Sequence, residues 1–287
     1  MKILLTGATG NVGISVLKAI ASSGANLELY AGIRNIRTDR LKLKDYNVSP
    51  VNFDFENAAT FRDALQSMDI LFLLRPPNLA DVSRFFKPLI QEAIRSKIQH
   101  IIFLSVQGAE KSKIIPHHKI ERLIVESRIA CTLLRPAYFM QNFTTTLRND
   151  LVQHQRIFLP ARKAKFTLID LDDVGKVAAK IFSEPQKHIN KIYELTNNEI
   201  LTFGEMAEKL SAGLNKPIRF ISPNFFQFFI TKRKEKMPFA FILVMIMIHY
   251  FPRFQKTQKT TSCVKIITSC EPKSFDEFVT SNKTQLS

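Results

Sequence analysis

Directly behind the apolar run Ile3-Leu4-Leu5 and Thr6 stands Gly7-Ala8-Thr9-Gly10-Asn11-Val12-Gly13. Strand, glycine-rich turn and helix start follow in the order that a dinucleotide site needs. Glycine at 7, 10 and 13 lets the turn adopt dihedrals closed to other residues. It also brings backbone N–H groups near a pyrophosphate and lets the helix pack closely on the sheet. The helix N-terminus adds unsatisfied donors and a partial positive charge. Glycine spacing alone is a weak signal, and its place behind the first strand gives it weight.

The rest of the first half repeats that alternation. Strands are expected at 27–33, 51–54, 69–74, 100–105 and 131–135. Helices are expected at 11–23, at 58–66 with Phe61 and Leu65 on one face, at 81–96, and from Pro116 onward. Strands and helices at this spacing predict an α/β fold, a Rossmann-type doubly wound parallel sheet, with a smaller α+β C-terminal lobe. Residues 1–153 are expected to form the dinucleotide-binding domain. Residues 154–287 are expected to form the lobe, interleaved with that domain and packed over the ligand edge. In the second half Asp172 is expected to cap a helix running to about Ser183, and 193–196 to form a strand. Thr202 with Glu205, and Ser274 with Glu277, fit capping boxes.

Composition narrows the class. The 287 residues are 45% hydrophobic, enough for one large core or a large domain and a smaller one. Lys and Arg outnumber Asp and Glu 41 to 25, for a net charge of +16. That excess suits an anionic ligand, a membrane surface, or solvated lysines with no such partner. No nucleic-acid partner is expected, since that needs a stripe of basic residues on one face. Cys131, Cys263 and Cys270 are odd in number and lack metal-ligand spacing, so reduced thiols and no metal are expected. The first apolar run leads straight into the glycine turn and not into a secretory signal, so a cytoplasmic location is expected.

Residues 238–251, PFAFILVMIMIHYF, are nearly all apolar, with Lys232, Arg233, Lys234, Lys236, Arg253 and Lys256 on their flanks. As a helix this segment spans about 21 Å, against a hydrocarbon core of about 30 Å, so no transmembrane span is expected. A buried helix is the plain reading. An apolar lid, or an interface for a partner or for peripheral membrane contact, is the sharper one.

About twenty residues beyond Gly13, at the end of the second strand, comes Arg34. An acidic residue there would accept the ribose 2′-hydroxyl of NAD, whereas arginine suits a 2′-phosphate, and neither Ile33 nor Asn35 is acidic. NADP(H) is therefore expected over NAD(H), with Arg37 as a helper. Asp54 either accepts from the adenine amino group or caps the following helix. In Leu74-Arg75-Pro76-Pro77, at the carboxyl end of the fourth strand, Arg75 either touches phosphate or belongs to a rigid turn. Lys119, in the first turn of the helix that Pro116 opens, opposes the helix dipole and suits an anion or ribose hydroxyl nearby. His117 and His118 are candidate proton carriers near neutral pH, and at most one of these adjacent side chains faces a ligand.

These residues as a set resemble the NmrA-like family of atypical short-chain dehydrogenases. The resemblance rests on 6–13, Arg34, Ser105-Val106-Gln107-Gly108-Ala109, Pro116–Lys119 with Glu121, 135–142, 169–179 and the helix after Ser274. It implies a Rossmann fold with a smaller lobe and binding of NADP(H) or NAD(H). It implies quinone or azo-dye reduction, or a redox-sensing role without turnover. By resemblance, Gly7, Thr9, Gly10, Asn11 and Val12 hold the pyrophosphate and Arg34 the 2′-phosphate. Lys119 likewise contacts the nicotinamide ribose, and Pro136 and Tyr138 line the nicotinamide pocket; Leu74 and Arg75 are expected near the cofactor from their place at the carboxyl edge of the sheet.

One departure matters. Short-chain dehydrogenases carry Tyr-x-x-x-Lys, with the tyrosine as general acid or base, and the position four before Lys119 is Ile115. The expected activity is therefore hydride delivery from NADPH to a quinone-like or other conjugated acceptor. Lys119, Tyr138 and His118 (or His117) are the groups nearest the chemistry. The alternative is a non-catalytic NADP(H) sensor acting through a protein partner.

Overall fold

The computed structural model describes residues 1–287. The elements in chain order are β1 (Lys2–Thr6), α1 (Asn11–Ser23), β2 (Glu28–Ile33), α2 (Ile36–Asp39), β3 (Ser49–Asn52), α3 (Ala59–Leu65), β4 (Ile70–Leu74), α4 (Val82–Arg95), β5 (His100–Leu104), α5 (Pro116–Glu126) and β6 (Ala130–Pro136). They continue with β7 (Tyr138–Phe139), α6 (Arg148–His154), β8 (Arg156–Phe158), β9 (Lys165–Ile169), α7 (Leu171–Ser183), β10 (Lys191–Leu195), β11 (Ile200–Thr202) and α8 (Phe203–Leu214). The last are β12 (Arg219–Ile221), α9 (Phe225–Lys234), α10 (Phe239–Tyr250), α11 (Cys263–Thr268), α12 (Phe275–Ser281) and α13 (Lys283–Leu286).

The chain forms two compact units, each drawn from separate stretches. One holds Met1–Pro136, Leu171–Leu195 and Cys263–Ser269; the other holds Ala137–Asp170, Thr196–Ser262 and Cys270–Ser287. From sequence, a domain over 1–153 is expected, with the later residues interleaved with it; the first unit runs to Pro136 and takes α7, β10 and α11 from later in the chain.

The first unit is built on a seven-stranded sheet in the order β10-β6-β5-β4-β1-β2-β3, parallel throughout. Every residue of β4 and of β5 is buried, as befits a parallel sheet covered on both faces. Alternate side chains then serve opposite layers. Leu71, Leu73 and Phe103 join a core with Phe61, Phe86 and Ile124 of α3, α4 and α5. Phe72 turns the other way and meets Phe182 of α7 edge-on at 5.4 Å. On that side α1 packs on α7, and α7 on α11. The strand order doubles back at β1, whose neighbours are β2 and β4.

Two local expectations are corrected. The third strand is Ser49–Asn52, two residues earlier than 51–54, because its register is set by pairing Tyr30 through Ile33 with Ser49 through Asn52. Asp172 is not a cap but lies inside α7, which already begins at Leu171.

The second unit has a three-stranded sheet, β11-β9-β7, and a two-stranded pair, β12-β8, around a phenylalanine-rich core that includes Phe143, Phe203, Phe228, Phe275 and Phe278. Both expected capping boxes form. Thr202 accepts from the Glu205 N–H while the Glu205 carboxylate accepts from the Thr202 N–H, and Ser274 with Glu277 repeats the pattern. Asn224 with Gln227 makes a third at the start of α9. The expectation that 238–251 is a buried helix holds for one face only. Ile242, Met245, Ile246 and His249 of α10 are buried, and Phe239, Leu243 and Met247 are exposed. No helix of the chain is long and apolar enough to cross a membrane.

Candidate functional site: the carboxyl edge of the parallel sheet

Because β1, β2, β4 and β5 run parallel, their C-terminal residues Thr6, Ile33, Leu74 and Leu104 share one edge of the sheet. The glycine turn leaves β1 there, at the switch point between β2 and β4, where ligands of open α/β sheets bind. Gly7 has φ of +62°, and its carbonyl accepts from the Gly10 N–H at 3.0 Å. A Cβ on Gly13 would lie 2.5 Å from the Gly7 carbonyl oxygen, so the close seat of α1 under the turn excludes any side chain. Gly10 stands at the N-cap of α1, which has no side-chain cap and no acidic residue in its first turn. The first N–H groups of α1 have no intrahelical acceptors. Donors and the positive end of the helix dipole are thus presented together at the sheet edge.

Leu74 supports this turn rather than reaching out from it. Its N–H donates to Thr6 Oγ1 at 2.8 Å, tying β4 to β1, and its side chain lies 3.3 Å from the place a Cβ on Gly7 would take. Thr9 and Val12 are half-buried, and Asn11 is exposed. Arg34 is the first residue past β2. It is exposed, and its guanidinium has no partner within the protein. Next to it the Asn35 side chain caps α2 by accepting from the Arg37 and Thr38 N–H groups at 3.0 and 3.2 Å.

Asp54 does not cap α3. Its carboxylate accepts from the Glu56 N–H at 3.0 Å and closes a tight turn, while α3 begins at Ala59 without a side-chain cap. Arg75 is committed to its own loop. Nη1 donates to the carbonyls of Pro76, Pro77 and Leu79 at 3.0–3.2 Å, and Nε donates to His117 Nε2 at 3.3 Å. It laces the β4–α4 connection and ties it to α5. Burial, with the Arg75 charge beside it, lowers the His117 imidazole to about 3. His117 is therefore held as the neutral imidazole, its Nε2 engaged by Arg75. The His118 ring donates through Nδ1 to the Ala109 carbonyl at 3.1 Å.

Lys119 is exposed in the first turn of α5, which Pro116 opens after an extended Ile115 and which has no acidic residue in that turn. The motif carboxylate Glu121 points elsewhere. It is buried and takes a two-pronged ion pair from Arg135 of β6, at 3.0 and 2.7 Å, while Glu110 accepts from the remaining Arg135 nitrogen at 2.8 Å. This arrangement fixes α5, and with it Lys119, against β6. Sequence reasoning quotes Glu121 and Arg135 as motif residues and misses that they are partners. The Ser105 hydroxyl, at the end of β5, is buried with no hydrogen-bond partner. Pro136 is buried, and its carbonyl accepts from the Gln107 N–H at 2.9 Å.

Tyr138 belongs to the second unit, half-buried between Phe166 and Phe203, with ring centroids 5.7 and 5.6 Å away. His249 Nδ1 donates to the Met245 carbonyl at 2.6 Å, so its Nε2 accepts from the Tyr138 hydroxyl at 3.1 Å. Burial pushes the phenol well above its usual range and the imidazole down to about 4. The Tyr138 proton is therefore held against His249. His249 is a partner that sequence reasoning misses, since a lone histidine in an apolar run carries no signal of what it faces.

The residues present suit a dinucleotide phosphate: a cradle that a Cβ would fill, an uncapped helix start, and an unpaired arginine at the end of the adjoining strand. The family model described as NmrA-like family matches residues 1–281. Prestalk A differentiation protein A of Dictyostelium discoideum is 28% identical over 282 residues, covering 97% of this chain and 91% of its own. Quinone oxidoreductase 2 of Escherichia coli (strain K12) is 24% identical over 222 residues, 76% of each chain. Among solved structures, the Citrobacter sp. triphenylmethane reductase complexed with NADP(H) superposes with a TM-score of 0.85. It is 21% identical and covers 98% of this chain and 99% of that one, which speaks to the fold.

Proposed function

This chain belongs to the NmrA-like family, and on that footing we propose that it is an NADPH-dependent oxidoreductase that delivers hydride to a quinone-like or other conjugated electrophile. The observation that carries the reading is the uncapped start of α1 behind the positive-φ Gly7, at the switch point of the sheet. The names of the relatives agree in kind: one is a quinone oxidoreductase, and another reduces triphenylmethane dyes and was solved with NADP(H).

Gly7, Thr9, Gly10, Asn11 and Val12 hold the pyrophosphate, Arg34 the 2′-phosphate, and Lys119 a ribose hydroxyl. Pro136 and Tyr138 serve the nicotinamide, Leu74 backs the turn, and Asp54 retains its reading as an acceptor for the adenine amino group. When bound, NADPH would supply the hydride and be oxidised to NADP⁺. The acceptor gains that hydride and one proton, and water is the source of the proton. Water suffices because a reduced quinone spreads its oxyanion charge over the ring, so positioning does most of the work. This fits a chain with Ile115 in the tyrosine slot, His117 held neutral, and the Tyr138 hydroxyl engaged by His249.

The same features favour a second reading, a non-catalytic NADP(H) sensor that signals through a protein partner. Calorimetric titration with NADPH and NADH, run beside NADPH oxidation with a simple benzoquinone, separates the two. Turnover that requires Gly10 and Lys119 establishes the reductase. Tight NADPH binding without turnover across several quinones establishes the sensor, and failure to bind either nucleotide overturns both.

A further inference from the structure

We propose that the second unit docks peripherally on an anionic lipid bilayer through the outward face of α10 and the basic turns that flank it. A surface helix ordinarily turns its apolar stripe inward and its polar residues to water. In α10 this is inverted. Its one strongly polar side chain, His249, is 1% exposed and hydrogen-bonded inward to Tyr138 and Met245. Phe239, Leu243, Met247 and Phe251 follow at four-residue intervals along the outer face, with Val244 and Ile248 beside them. Phe239 and Met247 are 55% and 50% exposed. A helix that is hydrophobic all round is normally buried, and an open apolar face of this extent marks an interaction surface.

The platform continues into its neighbours. Phe229 of α9 meets Phe239 edge-on at 5.7 Å, and α9 itself exposes Phe226 (74%) and Ile230. Its own anchor is internal: Phe228 is buried, and Lys232 is buried and ion-paired to Asp150 and Glu235, so α9 is pinned while Phe225 and Phe226 face out.

Charge selects the occupant. Residues 222–262 contain seven Lys and Arg and one carboxylate. That carboxylate, Glu235, is already taken by Lys232 and Arg156. Lys234, Lys236 and Lys256 are exposed at the end of α9 and beyond α10, and the Arg253 guanidinium lies over the Tyr250 ring at 4.4 Å. A second copy of this chain would set the basic rim against its own image, since a two-fold interface pairs identical patches. An anionic headgroup layer is complementary to the rim, and the acyl boundary beneath it to the apolar face. Phe and Leu on one face with Lys and Arg beside them is also the residue mixture of helices that lie in a membrane interface.

Flotation of the full chain with phosphatidylcholine vesicles, with and without phosphatidylserine, tests this. We expect partitioning at least about tenfold stronger with phosphatidylserine, most of it lost at high salt. Leu243→Gln with Met247→Gln, and separately Lys234→Glu with Lys236→Glu, should each lower it about tenfold. An unchanged melting temperature in both variants shows that they are folded. Absence of flotation by the native chain, equal flotation on both vesicles, or flotation undiminished in both variants overturns the proposal. A dimer in sedimentation equilibrium that Leu243→Gln with Met247→Gln dissociates also overturns it, because the face then belongs to a second copy. None of these readouts uses NADPH, so the result stands apart from the reductase reading.

Discussion

Arg34 and Arg75 pose the same question in sequence: each is an arginine at the carboxyl end of a parallel strand next to the glycine turn. The structure separates them by what their donors already hold. Arg75 gives Nε and Nη1 to His117 and three local carbonyls, whereas Arg34 gives nothing to the protein. An arginine with satisfied donors organises a loop, and an exposed one beside an anion cradle is available to a phosphate. NADPH should therefore bind at least about tenfold tighter than NADH, about 1.4 kcal/mol. Arg34→Ala should remove most of that preference in a calorimetric titration, and retention of the preference in that variant would make Arg34 a bystander. At this scale the glycine turn is legible because its constraint is steric and local. The position of Arg34 is legible because it counts from that turn. The role of Arg75 is not, because His117 lies 42 residues away.

Helices and strands follow the sequence where the signal comes from near neighbours. The α8 and α12 capping boxes close within three residues, and the alternation of buried strands with amphipathic helices delivers β1 through β6. Asp172 shows the limit. It has a capping residue's chemistry, yet α7 begins before it, directly after Asp170, which is also a capping residue type, so the side-chain signal alone does not choose between them. Gly175 is the clearest packing constraint between elements. A Cβ there would fall 2.4 Å from the Ser15 carbonyl oxygen of α1, and backbone cannot yield as a side-chain tip can. Gly175→Ala should destabilise the fold by about 1–3 kcal/mol, the usual cost of overpacking, measurable by urea unfolding. Because Ser15 lies about one turn from the glycine turn at the start of α1, NADPH affinity should fall as well. A variant of native stability and affinity would show that the two helices separate at no cost.

For the whole molecule, three histidines whose imidazoles are pushed well down shape the response to acid. His100 and His249 are lowered to about 4 and His117 to about 3, chiefly by burial. Unfolding returns each to about 6.5. Between those values the unfolded chain binds more protons than the folded one, so stability is complete above about pH 6.5 and declines as the pH falls toward 4. Each of the three contributes about 2 kcal/mol of that loss between pH 6.5 and 5. Thermal melts at pH 7 and pH 5 should show a marked drop, smaller in His249→Gln, which keeps an acceptor for Tyr138. Equal melting temperatures at the two pH values would mean that these imidazoles are hydrated.

The sequence by itself determined the doubly wound sheet, the glycine turn, the capping boxes of α8 and α12 and the shortness of the apolar segment. Each of these follows from sterics, periodicity or hydrogen bonds among residues close along the chain. Only the tertiary structure decided that Glu121 serves Arg135, that His249 holds the Tyr138 hydroxyl from 111 residues away, and that α10 keeps one apolar face outside. A buried charge or hydroxyl must find a partner wherever the fold brings one, and a helix with no polar face cannot show in sequence which side it will bury.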